Sequence, residues 1–489
     1  MEFEMNRMMP PADREEFVRQ SCHGEVPLDA RLEPWMLECM GDQRLFDRVA
    51  EFGSPLNVIH TEPMEQNVDA LRQVASERKI DLKIFFARKS NKCLSFVDQA
   101  KRSGIGVDTA SENEVRQCLD RGIDPGQLIC TAAVKSEALL QRCIDRQICI
   151  VVDNLDELNR IVSIAKTVER SASIALRLGG FHHDGRKLPT RFGFDVGRDA
   201  TLCERLSDLP ITVLGVHFHL DGYDAGQRVA ALTESLDWIN RLRRGGHSPV
   251  FIDMGGGFPM SYLQSGQQWK RFWDEHRSAL LGQRSEVTYR NHGLGLNVHR
   301  GEVIGEPNSY PYSQSPTKGD WLRSILDFPV AGVSIAERIA SSNVELRCEP
   351  GRCLMDGCGM TVASVEFRKQ DAEGHWLIGL SMNRTQCRTS SDDFLVDPIL
   401  LPCNRSDHRS KSGYLVGAYC TESELLSLRH LVFPHGVRCG DLVVFPNTAG
   451  YLMHFLESRS HQFPLAKNYL WQSDSLDPID HQPDHACTA

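Results

Sequence analysis

The sequence predicts an α/β protein: a TIM-type (β/α)8 barrel joined to a mainly antiparallel β-barrel domain. Three observations predict it. Apolar runs of strand length alternate with helical patterns from residue 83 to about 281. An eighth such run, "NVELRCEPG" (343–351), arrives after a less regular stretch. Beyond 356 helical spacing gives way to short β-rich runs divided by turns.

The elements follow in order. "KIFFARK" (83–89) is the first strand, and "CLSFVDQAKRSG" after it has helical spacing. "GIGVDT" leads into "ASENEVRQCLDRG", where Ser111 is the predicted N-cap with Glu114 three residues on. "QLICTAA" precedes "KSEALLQRCIDR", and "ICIVVD" precedes "NLDELNRIVSIAKTVE". "SIALRLG" is followed by a loop and a short helix near 199–207. "ITVLGVHFHL" opens onto "RVAALTESLDWINRLRRGG", and "PVFIDMGGGF" onto a helix near 267–281. Each strand is apolar on both faces, as parallel strands under crossover helices are. The barrel is expected over 61–355, with a long insertion at 283–342 that holds its own helix, "GDWLRSIL". A doubly wound open sheet is the alternative. "MTVASVEFRKQ", "HWLIGLSM", "GYLVGAYC" and "DLVVFPN" define a β domain at 356–475. "GSPLNVIH" (53–60) lets the N-terminal arm, 1–60, add a strand to it, and 476–489 reads as a loose polar tail.

The 489 residues are enough for two cores without staples. A net charge of −10 argues against nucleic acid as partner, because phosphate binding needs a basic face. No run approaches a membrane span, and the N-terminus lacks an apolar signal core. The 16 cysteines are scattered in apolar runs, which points to reduced thiols and a cytoplasmic location. Cys348, Cys353 and Cys358 recur every five residues, yet no partner set completes a zinc site, so buried thiols and no metal are expected.

Functional residues of a TIM barrel collect at the C-terminal ends of its strands. Those ends carry Lys89, Asp108, Arg177, His219, the run Gly255-Gly256-Gly257, and Glu349 with Arg352. Three glycines leave a bare backbone that suits a phosphate, although a tight turn explains them as well. Arg352 adds a charge-assisted fork to the same phosphate; alone it would read as a surface partner of Asp356. His217 and His219 share a strand face, a spacing that also suits a metal, but no carboxylate is evident at a matching strand end. A flat imidazole stacking on an aromatic cofactor is the preferred reading. Glu349 ends a buried strand, where a cationic ring nitrogen would keep it ionised. Lysine, acid, stacking ring and phosphate cradle together imply pyridoxal 5'-phosphate (PLP), with Lys89 as its Schiff-base residue.

On these motifs the sequence resembles the fold-type III PLP decarboxylases, the ornithine and diaminopimelate decarboxylase group, from "FGSPLNVI" at 52 to "TAGYLMHF" near 455. Ala87-Arg88-Lys89-Ser90-Asn91 fits the family pattern Ala-x-Lys-x-Asn, and Asp108 and Glu114 match family acids beside the cofactor. His219 falls on the ring-stacking histidine, "GGGFP" on the phosphate loop and "CEPGR" on its Glu and Arg. "GAYCTESEL" resembles the cysteine-acid segment that reaches a neighbouring subunit's site, and Tyr451 matches a phosphate-binding tyrosine. The resemblance implies a barrel of the alanine racemase type and a homodimer with shared sites. It also implies decarboxylation of a small-molecule amino acid, through a Lys89 Schiff base and a quinonoid, with Cys420 of the other chain or Lys89 returning the proton.

The sequence also departs from that family. Asp221-Gly222 stand where Gly-Ser is usual after the histidine, so a serine contact to phosphate is lost or moved. The cysteine segment reads Cys-Thr-Glu-Ser-Glu, which leaves open whether Glu422 or Glu424 meets substrate. "SMNRTQCRTSSDDF" lacks the diaminopimelate pattern, though Arg384 and Arg388 suit a distal carboxylate as well as they suit pairing with Asp392 or Asp393. Arg88 replaces a usually apolar residue. These differences resemble a divergent, Y4yA-like branch. Two rivals remain: a racemase, which in this fold places an arginine at the ring nitrogen, and a non-catalytic homologue that binds a protein partner.

Overall fold

In the computed structural model, residues 15–16, 18–389, 394–403 and 409–482 are described. The chain divides into two compact units.

One unit, Met64–Pro259 with Pro316–Leu354, is the barrel. Its strands are β1 (Leu82–Ala87), β2 (Gly106–Thr109), β3 (Leu128–Cys130), β4 (Cys149–Val152), β5 (Ala172–Gly179), β6 (Ile211–His217), β7 (Phe251–Asp253) and β8 (Glu345–Cys348). Each pairs in parallel with the next, β8 pairs with β1, and the eight close into a ring. This is the predicted architecture, and the open-sheet alternative falls with the closure. Phe85, Ile129, Cys149, Val151, Ala175 and Phe251 pack together as a buried apolar layer.

The helices start where the sequence signals them. The Ser111 side chain accepts from the Glu114 N–H ahead of Glu112–Asp120, and the Glu114 carboxylate accepts from the Ala110 N–H at 2.7 Å. Asp224 caps Ala225–Arg244 in the same way, accepting from the Gln227 N–H.

The second unit takes in the described residues of Met1–Pro63, Met260–Ser315 and Met355–Ala489. Its ten-stranded sheet is mainly antiparallel and centres on the long strand Gly359–Gln370. Leu56–Ile59 lies between that strand and Lys467–Leu470 and adds a strand to this sheet. The pairings run from His23–Gly24 to Ser475–Leu476, and Leu442–Pro446 branches from the long strand to pair in turn with Ile399–Leu401.

Two expected boundaries move. The stretch 283–342 is not one insertion of the barrel: the segment up to Ser315 belongs to the sheet unit and the remainder to the barrel. Aromatic packing roots the first part, with Tyr262, Tyr310 and Tyr312 in mutual edge contact and Phe394 against Tyr312. The tail expected to be loose from 476 stays tied as far as Gln482, because Ser475–Leu476 pairs with Tyr469–Leu470 and Pro478–His481 forms a turn.

Cys348, Cys353 and Cys358 are all buried. No described helix is long and apolar enough to cross a membrane.

Candidate active site

The barrel's strand register sets the site. Arg177, His217 and Asp253 are register partners on β5, β6 and β7, so their side chains issue from one level. Ala87 and Asp108 are partners on β1 and β2. Lys89 follows two residues later in the single turn Arg88–Ser90, which releases it from the strand. Its Nζ stands 3.4 Å from Asp108 Oδ2, and the Thr131 hydroxyl donates to Asp108 Oδ1 at 2.5 Å. The lysine is therefore set by an acid that is itself fixed by the next strand. Arg88 turns outward: its guanidinium is buried and donates to Gln117 Oε1 at 2.5 Å and to the Lys92 carbonyl at 3.1 Å. The polar residue at that position therefore ties the lysine turn to the helix Glu112–Asp120.

Glu349 follows β8 directly, and its N–H donates to the Gly255 carbonyl at 2.9 Å. Its carboxyl is buried, with Oε2 at 3.3 Å from His217 Nε2 and Oε1 without a partner. Burial, followed by repulsion from Asp108, pushes its pKa up to about 8, while Lys89 and Arg177 pull the other way. Asp253 behaves alike: burial and then Glu349 raise it to about 7. Burial lowers His217 to about 3, so its imidazole is neutral between the two acids. Arg177 lies 3.8 Å from Asp153 with its guanidinium 4.0 Å over the Phe192 ring.

Sequence reasoning looked for a carboxylate to match His217 and missed Asp253. The ligating atoms of His217, Asp253 and Glu349 lie within 4.8 Å of one another. The signal is present, since Asp253 is the last residue of β7 as His217 is of β6.

The glycine run is locked by close approaches. A Cβ at Gly255 would stand 2.5 Å from the Phe218 carbonyl, and one at Gly256 2.6 Å from that of Glu349. Gly255 also has φ +66°, which favours glycine. Two of the N–H groups expected to face phosphate are engaged. That of Gly255 donates to Asp253 Oδ1 at 2.9 Å and that of Gly256 to His219 Nδ1 at 3.2 Å. Accepting at Nδ1 places the proton of neutral His219 on Nε2, and burial, then Lys89, holds its pKa well below the ordinary value. Arg352 is half-buried in the turn after Glu349.

In the sheet unit Cys420 and Glu422 are exposed, while Glu424 is buried. The Glu424 Oε1 accepts from the Arg384 N–H at 2.8 Å, and burial raises its pKa. Arg384 and Arg388 donate to the carbonyls of Ser423 and Leu425. Their alternative partners Asp392 and Asp393 lie outside the described residues. Tyr451 is half-buried, with φ +70° and its ring 5.6 Å from that of Phe455.

A closed parallel barrel with a strand-end lysine, a buried acid and a bare glycine turn defines a PLP-binding barrel protein, and comparison with known proteins agrees. The family described as "Pyridoxal-dependent decarboxylase, pyridoxal binding domain" matches residues 64–292. The chain is 32% identical over 432 residues to the uncharacterized protein y4yA of Sinorhizobium fredii, covering 87% of this chain and 89% of that one. It is 24% identical over 428 residues to diaminopimelate decarboxylase of Vibrio cholerae, covering 83% and 85%. Diaminopimelate decarboxylase from Helicobacter pylori complexed with L-lysine superposes with a TM-score of 0.65 at 16% identity, over 88% of this chain and 95% of that one. The arginine decarboxylase of Paramecium bursaria Chlorella virus gives 0.62 at 17%, over 87% and 98%. The chain belongs to the fold-type III PLP-dependent amino acid decarboxylases. Its residues fit the cofactor, since the glycine turn admits no side chain and Glu349 Oε1 is a buried polar atom without a protein partner.

Proposed function

We propose that the protein removes the α-carboxyl group of an amino acid with a second polar terminus, a diamino acid or an amino-acid conjugate, releasing CO2 and an amine. The observation that carries this reading is Glu349. PLP, when bound, supplies an electron-accepting ring that stabilises the charge left on Cα. The Glu349 carboxyl keeps a proton at neutral pH because burial and Asp108 raise it to about 8. With PLP bound, Glu349 would be the residue that offers a proton to the ring nitrogen and, as the carboxylate left behind, would pair with it. His217 holds Glu349 in place from the neighbouring strand level. A guanidinium here, as in the racemase reading, would leave the nitrogen unprotonated and the electron sink weaker.

Lys89 is the amine that holds the cofactor, kept at the mouth of β1 by Asp108. His219 offers its ring face, turned by the Gly256 N–H. The glycine turn, Arg352 and Tyr451 take the phosphate, and Arg177 lends positive charge beside Glu349. Lys89, or Cys420 of a second copy, returns a proton to Cα in a homodimer with shared sites. Of the two acids after the cysteine we assign the substrate contact to Glu422, because Glu424 is turned onto the Arg384 N–H. Arg384 and Arg388 then serve a distal carboxylate.

The test incubates the PLP-loaded protein with pooled L- and D-amino acids in D2O, including ornithine, lysine, arginine, diaminopimelate and acidic diamino conjugates. An amine lacking the carboxylate and carrying one deuterium establishes the reaction and its substrate. Deuterium gained with the carboxylate retained replaces this reading by the racemase.

A further inference from the structure

The helix Ala225–Arg244 carries Arg228 near its start, and that guanidinium is fully buried. It lies against the glycine turn: a Cβ on Gly257, whose φ is +83°, would stand 2.6 Å from Nη2. Nη2 donates to the carbonyls of Leu220 at 2.8 Å, Gly222 at 3.0 Å and Gly256 at 3.4 Å. Nε and Nη1 have no protein partner. The face of Trp321 lies 5.8 Å away. Asp221, Asp224 and Tyr223 act on it only through space, and Asp224 is occupied in capping the helix.

A buried cation with uncommitted N–H groups is costly unless an anion joins it. Burial already draws this arginine down to about 10. The adjoining turn is short of donors, because the N–H groups of Gly255 and Gly256 are engaged by Asp253 and His219. Where a serine is usual after His219 this chain has the pair Asp221-Gly222, neither of which carries a hydroxyl.

We propose that Arg228 is a phosphate anchor of the cofactor site, supplying from beneath the glycine turn the charge and N–H groups that a hydroxyl side chain after His219 would otherwise provide. The same residue draws the 220–222 loop against the glycine turn through its Nη2 contacts. The inference rests on PLP binding and not on which bond of the substrate breaks, so it survives or fails independently of decarboxylation.

The apoenzyme of wild type, Arg228→Gln and Arg228→Lys is titrated with PLP and with pyridoxal, which lacks the phosphate, and the imine absorbance gives each dissociation constant. Loss of a charge-assisted fork is expected to weaken PLP about tenfold or more in Arg228→Gln and leave pyridoxal within about twofold. Arg228→Lys retains charge but not the fork, and its PLP preference over pyridoxal falls to an intermediate value. Equal losses for both ligands would reduce Arg228 to a positioning residue and overturn the proposal, as would no change in either. If melting shows that Arg228→Gln does not fold, Arg228→Lys decides: a reduced preference supports the anchor and an unchanged one overturns it.

Discussion

The chemistry of single residues here turns on burial. Glu349, Asp253 and His217 lie so close that no one of them titrates as it would in water. In the folded protein Glu349 keeps its proton to about pH 8 and Asp253 to about 7, whereas in the unfolded chain both lose it near the ordinary carboxylate values. An acid raised by folding makes the folded state less stable as pH climbs from its unfolded value to its folded one. His217 works in the opposite sense below its ordinary value of 6.5, since the unfolded chain takes up a proton there and the folded one does not. Between about pH 6.5 and about pH 8 the unfolded chain gives up the rest of its histidine protons, so the acids set the downward slope in the upper part of that window. Melting of the wild-type apoprotein should fall across that window, and in Glu349→Gln the fall should be shallower. A slope unchanged by the substitution would mean that Glu349 is already ionised, and its role as proton holder would go with it.

At the level of elements, the strand ends were legible because a parallel barrel strand is apolar throughout and stops at its first polar residues. Lys89, Asp108, Arg177, His219 and Glu349 stand out as candidates in this way. Arg228 was not, for it lies in a helix whose polar residues read as solvated surface, and only the three-dimensional approach to Gly257 separates it from them. The 260–315 segment was assigned to the wrong unit because its anchor is a set of contacts among Tyr262, Tyr310, Tyr312 and Phe394, which no local periodicity encodes. The glycine turn was legible as a turn but not as a hydrogen-bonded junction of three strand ends. Gly255→Ala tests that junction: its φ of +66° and the Phe218 carbonyl 2.5 Å from a Cβ both oppose a side chain. Thermal or urea unfolding should show a loss of about 1–3 kcal/mol, accompanied by weaker PLP binding as His219 and Glu349 lose their shared anchor. Retention of both stability and affinity would show that the turn relaxes freely.

For the whole molecule the open matter is which copy of the chain completes which site. Lys89 belongs to the barrel unit, whereas Cys420, Glu422 and Tyr451 belong to the sheet unit. In a symmetric dimer with shared sites, each site takes Lys89 from one chain and Cys420 from the other. In such a dimer Lys89→Ala and Cys420→Ala would each impair both sites. In a mixed dimer, one site receives both substitutions and the other receives neither. Unfolding or dissociating the two inactive variants, mixing them in equal amounts and reassembling them should restore about one quarter of wild-type activity, half the dimers being mixed and each having one intact site. If each chain instead built its own site, every site in the mixture would carry one substitution and activity would stay at the residual level left by Cys420→Ala. The two arrangements thus differ in whether activity rises above that level. The assay requires only that Cys420→Ala lower turnover by about tenfold or more on its own, which is the ordinary scale for removing a positioned proton donor.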